Sequence, residues 1–148
     1  MNSSFLTNSD SKNSLQKRQI LQLCINEGNF SLADLSKELN LSIPTTTRLT
    51  EELIESGFIE DMGKQDTSGG RRPSIYGLKS SAGYFVGTDI GRTSVSICIT
   101  DFKGSCIAFY PKLPFSVENS EASFRELCKL IKKHIEKSDV KQDTVLAY

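Results

Sequence analysis

The stretch from Ser31 to Leu49, SLADLSKELNLSIPTTTRL, leaves the chain little freedom in how it folds. Leu32, Leu35, Ser36 and Leu39 recur at helical spacing and give a short amphipathic helix. Ser31 and Asp34 stand three apart at its start, the arrangement of a capping box, in which each side chain satisfies the other's backbone N–H. Asn40 tolerates the left-handed conformation that ends such a helix, and Leu41 then turns back toward the core. Ser42 offers an oxygen to an unpaired first-turn N–H of a second helix, and Pro44 sits in that turn, where a missing N–H costs least. A short helix, a tight turn and a capped second helix form a helix-turn-helix, whose second member enters the major groove of duplex DNA.

At 100° per residue, Thr46, Leu49 and Leu53, with Thr50 and Ile54 beside them, face inward on the second helix. Pro44, Thr45, Thr47 and Arg48 then lie on the outer face of its leading end, positioned by Ser42. Short hydroxyls and a guanidinium fork suit base edges and phosphates. Taken alone, the same residues also describe an ordinary capped surface helix. Glu51, Glu52 and Glu55 on the outer C-terminal half repel phosphates, so only the first turns suit a groove.

Charge excludes a global attraction to nucleic acid: 18 Lys and Arg balance 18 Asp and Glu among 148 residues, so the argument must be local. Local charge is found just downstream. The third helix stops at Gly57, Phe58 to Met62 reads as a strand, Gln65 to Gly70 as a turn, and Ser74 to Lys79 as a returning strand. A helix-turn-helix followed by a β-hairpin is a winged helix. Its tip, Gly69-Gly70-Arg71-Arg72-Pro73, sits in a segment where Lys64, Arg71, Arg72 and Lys79 outnumber Asp66. Paired arginines on a hairpin suit a narrow minor groove, where the potential is most negative; a solubilising turn is the alternative. Upstream, Ser14 to Glu27 forms a first helix with Leu15, Ile20, Leu21, Leu23, Cys24 and Ile25 apolar, capped by Asn13 or Ser14 and ended by Gly28. Lys17 and Arg18 read as its solvated face, with contact to a phosphate backbone as the alternative. Residues 1–13 form a polar lead-in, expected to be disordered and lacking an apolar signal-peptide core.

Beyond the hairpin the pattern changes. Tyr84 to Ile90 is an apolar strand, Ser94 to Asp101 alternates with Val95, Ile97 and Ile99 on one face, and Asp101-Phe102-Lys103-Gly104 turns into a strand over Ser105 to Phe109. Glu121 to Lys137 is an amphipathic helix with Phe124, Leu127, Cys128, Ile131 and Ile135 inward, and Thr144 to Tyr148 begins another strand. Cys24, Cys98, Cys106 and Cys128 have no short paired spacing and only His134 to join them, which favours buried thiols in a reducing compartment over disulfides or zinc. No apolar run is long enough to cross a bilayer. The chain is expected to be cytoplasmic.

The order of helix-turn-helix, Ser68-Gly69-Gly70-Arg71-Arg72-Pro73, and Ala82-Gly83-Tyr84-Phe85-Val86-Gly87-Thr88-Asp89-Ile90-Gly91 resembles the ROK (repressor, open reading frame, kinase) family, in particular its regulator branch of xylose- and N-acetylglucosamine-responsive repressors. The resemblance runs from about Ser14 to Tyr148. It implies an α+β chain: a winged helix-turn-helix over 14–80, then over 83–148 the first part of an actin-like, ribonuclease H-like sugar-kinase fold, incomplete at its end. Asp89, Gly91 and Thr93 fall on the family's first phosphate motif, where kinases bring backbone N–H groups to a nucleotide and the aspartate helps hold magnesium. Arg92 stands where those kinases usually have a second glycine, and its bulk opposes phosphate approach. The reading is then of a turn organised by Asp89 and Thr93, with no catalysis and no cofactor.

The expectation is a DNA-binding regulator of sugar-utilisation genes, a repressor by resemblance. Its partner is a double-stranded operator, met by Ser42, Pro44, Thr45, Thr47, Arg48, Arg71 and Arg72. A sugar or sugar-phosphate effector is expected only in a full-length form, a homodimer is compatible with the family, and no membrane is involved. The alternatives are a ROK sugar kinase with an N-terminal accessory domain and a winged helix used for protein contacts.

Overall fold

The computed structural model describes residues 11–64 and 73–147, which divide into two compact units between Lys79 and Ser80. In the first, helix α1 (Lys12–Glu27) leads into a two-residue strand β1 (Phe30–Ser31), helix α2 (Leu32–Glu38), helix α3 (Ile43–Glu55) and strands β2 (Ile59–Lys64) and β3 (Ser74–Leu78). The strands form an antiparallel sheet in the order β1-β3-β2. Ile20, Leu21, Cys24, Leu35, Leu49, Leu53, Phe58 and Ile59 are buried where the helices meet this sheet. Truncating one such side chain, Leu53→Ala for example, typically costs about 2–5 kcal/mol.

Three expectations are corrected here. Helix α1 begins at Lys12 and is capped by Ser11, whose Oγ accepts from Ser14 N at 3.2 Å, so the helix claims the last residues of the expected lead-in and neither Asn13 nor Ser14 is the cap. Leu15 and Ile25 point outward, 47% and 58% exposed, because α1 buries one narrow stripe. Strand β1 had no sequence signal: Phe30 and Ser31 pair with Tyr76 and Ile75, and only that distant partner makes them a strand.

The second unit holds β4 (Tyr84–Ile90), β5 (Ser94–Asp101), β6 (Cys106–Pro114), α4 (Glu121–Lys137) and β7 (Val145–Ala147). Its sheet has the order β6-β5-β4-β7, antiparallel except that β7 runs parallel to β4, as a strand returning through a helix does. Val95, Ile97 and Ile99 are fully buried, and with Val86, Ile135 and Val140 they form the core. At the β5–β6 turn, the carboxylate of Asp101 accepts from Lys103 N at 2.9 Å and Ser105 N at 2.8 Å, and Gly104 takes a positive φ of 83°. Strand β6 runs on to Pro114 rather than ending at Phe109, with register shifts and Lys112 at φ 48°.

The inner face of α4 also differs from expectation. Leu127, Leu130, Ile131 and Ile135 pack on the core, together with His134, which meets Tyr110 edge-on at a centroid distance of 4.7 Å and has Nδ1 2.8 Å from Leu130 O. Phe124 is 64% exposed and does not join that face. Cys24 is buried and Cys128 half-buried, but Cys106 is exposed, its sulfur 3.8 Å from that of Cys98 across neighbouring strands. Among the described residues no helix is long and apolar enough to cross a membrane.

Candidate nucleic-acid interface

The tip of α3 is built by three local devices. Ser31 and Asp34 close a complete capping box on α2: Ser31 Oγ accepts from Asp34 N at 3.2 Å, and the Asp34 carboxylate accepts from Ser31 N at 3.1 Å. Asn40 takes φ 51°, and Leu41 N donates to Ser36 O at 2.9 Å, closing the turn. Leu41 itself is half-buried rather than inserted in the core. Ser42 then caps α3, its Oγ 3.4 Å from Thr45 N and 2.9 Å from Thr45 Oγ1, with Pro44 in the first turn.

Helix α3 presents the two faces that its periodicity predicts. Thr46, Leu49, Thr50 and Leu53 are buried. Ser42, Ile43, Pro44 and Arg48 are exposed, and Thr45 and Thr47 half-exposed. Thr47 Oγ1 donates to Ile43 O at 2.9 Å, which uses its proton and leaves the oxygen its acceptor capacity. Hydroxyl, proline ring and guanidinium therefore share the leading end of one helix, as groove contact requires.

Arg48 is less free than its sequence position suggests. Its Nη1 donates to Glu52 Oε1 and its Nη2 to Asn13 Oδ1 at 3.1 Å. Glu52 Oε2 in turn accepts from Lys17 Nζ at 2.7 Å. Glu52 is thus not an outward, unpaired phosphate-repelling charge, and Lys17 is 15% exposed rather than part of a solvated face. The Lys17 ammonium, with Arg48 adding to it, holds the Glu52 carboxyl below its usual range. Sequence reasoning missed Asn13 and Lys17 as neighbours of Arg48 because the contact spans two helices.

Arg71 and Arg72 lie outside the described residues, as does the rest of the wing tip over 65–72. The hairpin's described arms are paired, with Ile59 opposite Leu78 and Lys64 opposite Ser74. In the second unit, Asp89, Gly91 and Thr93 are all exposed around the β4–β5 turn. The Gly91 N–H donates to Ser94 O at 2.8 Å, and Thr93 O accepts from Phe115 N at 3.2 Å. That N–H is engaged within the hairpin, and the Arg92 side chain stands exposed beside it.

Residues 14–60 match the family described as winged helix-turn-helix DNA-binding, a match that runs from within α1 through α2 and α3 into β2. Relatives extend the likeness past the wing. The chain is 29% identical over 125 residues to the xylose repressor of Caldicellulosiruptor bescii, covering 84% of this chain and 31% of that one. It is 28% identical over 93 residues to the xylose repressor of Bacillus spizizenii, covering 63% and 24%. Against the DNA-binding transcriptional dual regulator NagC of Escherichia coli it is 25% identical over 101 residues, covering 68% and 25%. The crystal structure of a ROK family transcriptional regulator, a homologue of the E. coli MLC protein, superimposes with a TM-score of 0.61 at 20% identity, covering 83% of this chain and 32% of that one. Fold and site define a winged helix followed by a second unit of a four-stranded sheet and one long helix. The chain is thus similar to transcriptional regulators of the ROK family and carries a winged helix-turn-helix. It spans about a quarter to a third of the length of these relatives.

Proposed function

We propose that the chain is the DNA-reading part of a transcriptional regulator, a repressor of sugar-utilisation genes, working in the cytoplasm. The observation that carries this reading is the capped tip of α3, with Pro44, Thr45, Thr47 and Arg48 outward and Thr46, Leu49 and Leu53 locking the helix to its core. Ser42 and Pro44 set the approach of the helix end, Thr45 and Thr47 meet base edges or the nearest phosphates, and Arg48 supplies the fork that fits guanine. Arg71 and Arg72 grip the minor groove or flanking backbone. A xylose repressor and an N-acetylglucosamine repressor among the relatives support a sugar or sugar-phosphate effector, bound by a longer form of the protein; a homodimer on an inverted repeat is the assembly this reading expects. No chemistry is assigned to Asp89, Gly91 and Thr93: the Gly91 N–H is bonded to Ser94 O, which supports a turn-forming role over phosphate binding.

The test is selection of duplexes from a random-sequence pool by the purified chain, followed by affinity measurement across a salt series. A consensus sequence should emerge and bind at least about 1,000-fold more tightly than scrambled duplex at moderate salt. Recovery of no consensus, with equal weak binding to every duplex, refutes the reading.

A further inference from the structure

Asn13 and Lys17 stand four apart on α1, and Arg48 and Glu52 stand four apart on α3. The two pairs close on each other: Lys17 Nζ to Glu52 Oε2, Glu52 Oε1 to Arg48 Nη1, and Arg48 Nη2 to Asn13 Oδ1. The guanidinium is thereby fixed at two of its nitrogens while the Arg48 side chain stays 47% exposed. Such a ring contributes little to stability, because exposed ion pairs are worth only about 0–1 kcal/mol each. Its effect is on orientation. An unrestrained arginine carries about 2 kcal/mol of rotamer entropy and can follow phosphates in many geometries, whereas a clamped fork presents its remaining donors in one.

We propose that Glu52 and Asn13 are positioning residues for sequence reading: they hold the Arg48 fork in one orientation before DNA arrives, and Glu52 also offsets the Lys17 and Arg48 charges that otherwise favour indiscriminate phosphate binding. The proposal rests on the assignment of α3 as the reading helix. Freeing Arg48 shifts binding from selective to general. Glu52 adds its negative charge close to the path of the DNA, so its removal does not weaken electrostatic attraction; it strengthens it.

The experiment compares the wild-type chain with Glu52→Ala, Glu52→Gln and Asn13→Ala on a duplex selected by the wild type and on a scrambled duplex, across a salt series. Glu52→Ala is expected to lower the selected-to-scrambled affinity ratio about tenfold and to steepen the scrambled duplex's salt dependence by about one counterion. Glu52→Gln, which keeps an acceptor for the fork, recovers most of the ratio but retains the steeper salt dependence. Asn13→Ala gives a smaller fall in the ratio and leaves the salt dependence alone. In an Arg48→Ala background, Glu52→Ala no longer changes the ratio. A wild-type ratio in Glu52→Ala and Asn13→Ala overturns the positioning role while leaving α3 as the reader. A wild-type chain that prefers no duplex overturns both. Should Glu52→Ala melt early, Glu52→Gln and Asn13→Ala carry the test.

Discussion

Thr50 and Thr46 lie on the same buried face of α3 and differ in one respect. Thr46 Oγ1 donates to Ser42 O at 3.2 Å, whereas Thr50 Oγ1 has no hydrogen-bond partner among the described residues although Thr50 is only 1% exposed. Leaving a buried hydroxyl unpaired costs about 1–3 kcal/mol. Valine keeps the branched shape, has similar helix propensity, and replaces the hydroxyl with a methyl group whose burial is worth roughly 0.8 kcal/mol. Thr50→Val is therefore expected to stabilise the first unit by about 2 kcal/mol, the lower end of the combined range. Thr46→Val removes a hydrogen bond that is made, and the net loss of such a bond is about 0.5–1.5 kcal/mol, largely offset by the added methyl. The sister substitutions should then differ by at least about 1 kcal/mol, or roughly 4–8 °C in midpoint for a unit of this size. Thermal unfolding followed by helical circular dichroism reads the difference directly. Destabilisation by Thr50→Val equal to or greater than that by Thr46→Val refutes the assignment of an unpaired hydroxyl.

Other consequences are equally specific. Ser31→Ala removes one half of the capping box on α2, together with the 2.7 Å bond that Ser31 Oγ donates to the Asp34 carboxylate, and is expected to lower stability by about 1 kcal/mol in urea unfolding, with Ser31→Thr, which keeps the hydroxyl, restoring most of it. Burial pushes the Cys24 thiol from 9.0 up to about 11. The folded state thus holds its proton more tightly than the unfolded one, and the associated stability, full below the unfolded value, is lost as pH rises from about 9 to about 11. Urea midpoints of Cys24→Ala should fall less across that window than those of the wild type. On the DNA side, replacing Arg71 and Arg72 with alanine should weaken selected and scrambled duplexes alike and flatten the salt dependence by about two counterions, whereas Arg48→Ala should relax preference at particular base positions.

Much of α3 and of the turn that leads into it was legible because its signals are local. Ser31 with Asp34, Asn40, Ser42 and Pro44 each act within a few residues of themselves, and all take the roles that their chemistry dictates. Strand β5 was legible for the same reason, its alternation setting Val95, Ile97 and Ile99 on one buried face. What escaped depends on partners distant in sequence. Phe30 and Ser31 become a strand only against Tyr76 and Ile75. Glu52 looked like an outward charge because Lys17 reaches it from another helix. Phe124 satisfied the helical stripe, yet it is exposed, because the periodicity of α4 carries no record of which of its turns find a partner. On the candidate interface, which face of α3 points outward was readable, but the engagement of Arg48 with Asn13 and Glu52 was not.

The most direct measurement is the amide chemical-shift response of the chain to its selected duplex, titrated at low and moderate salt. The shifts that survive moderate salt are expected to concentrate over Ser42 to Arg48, with Asn13 and Lys17 following, while Val95, Ile97, Ile99 and the inner face of α4 stay still. A response centred in residues 80–147 with Ser42 to Arg48 unmoved contradicts the account.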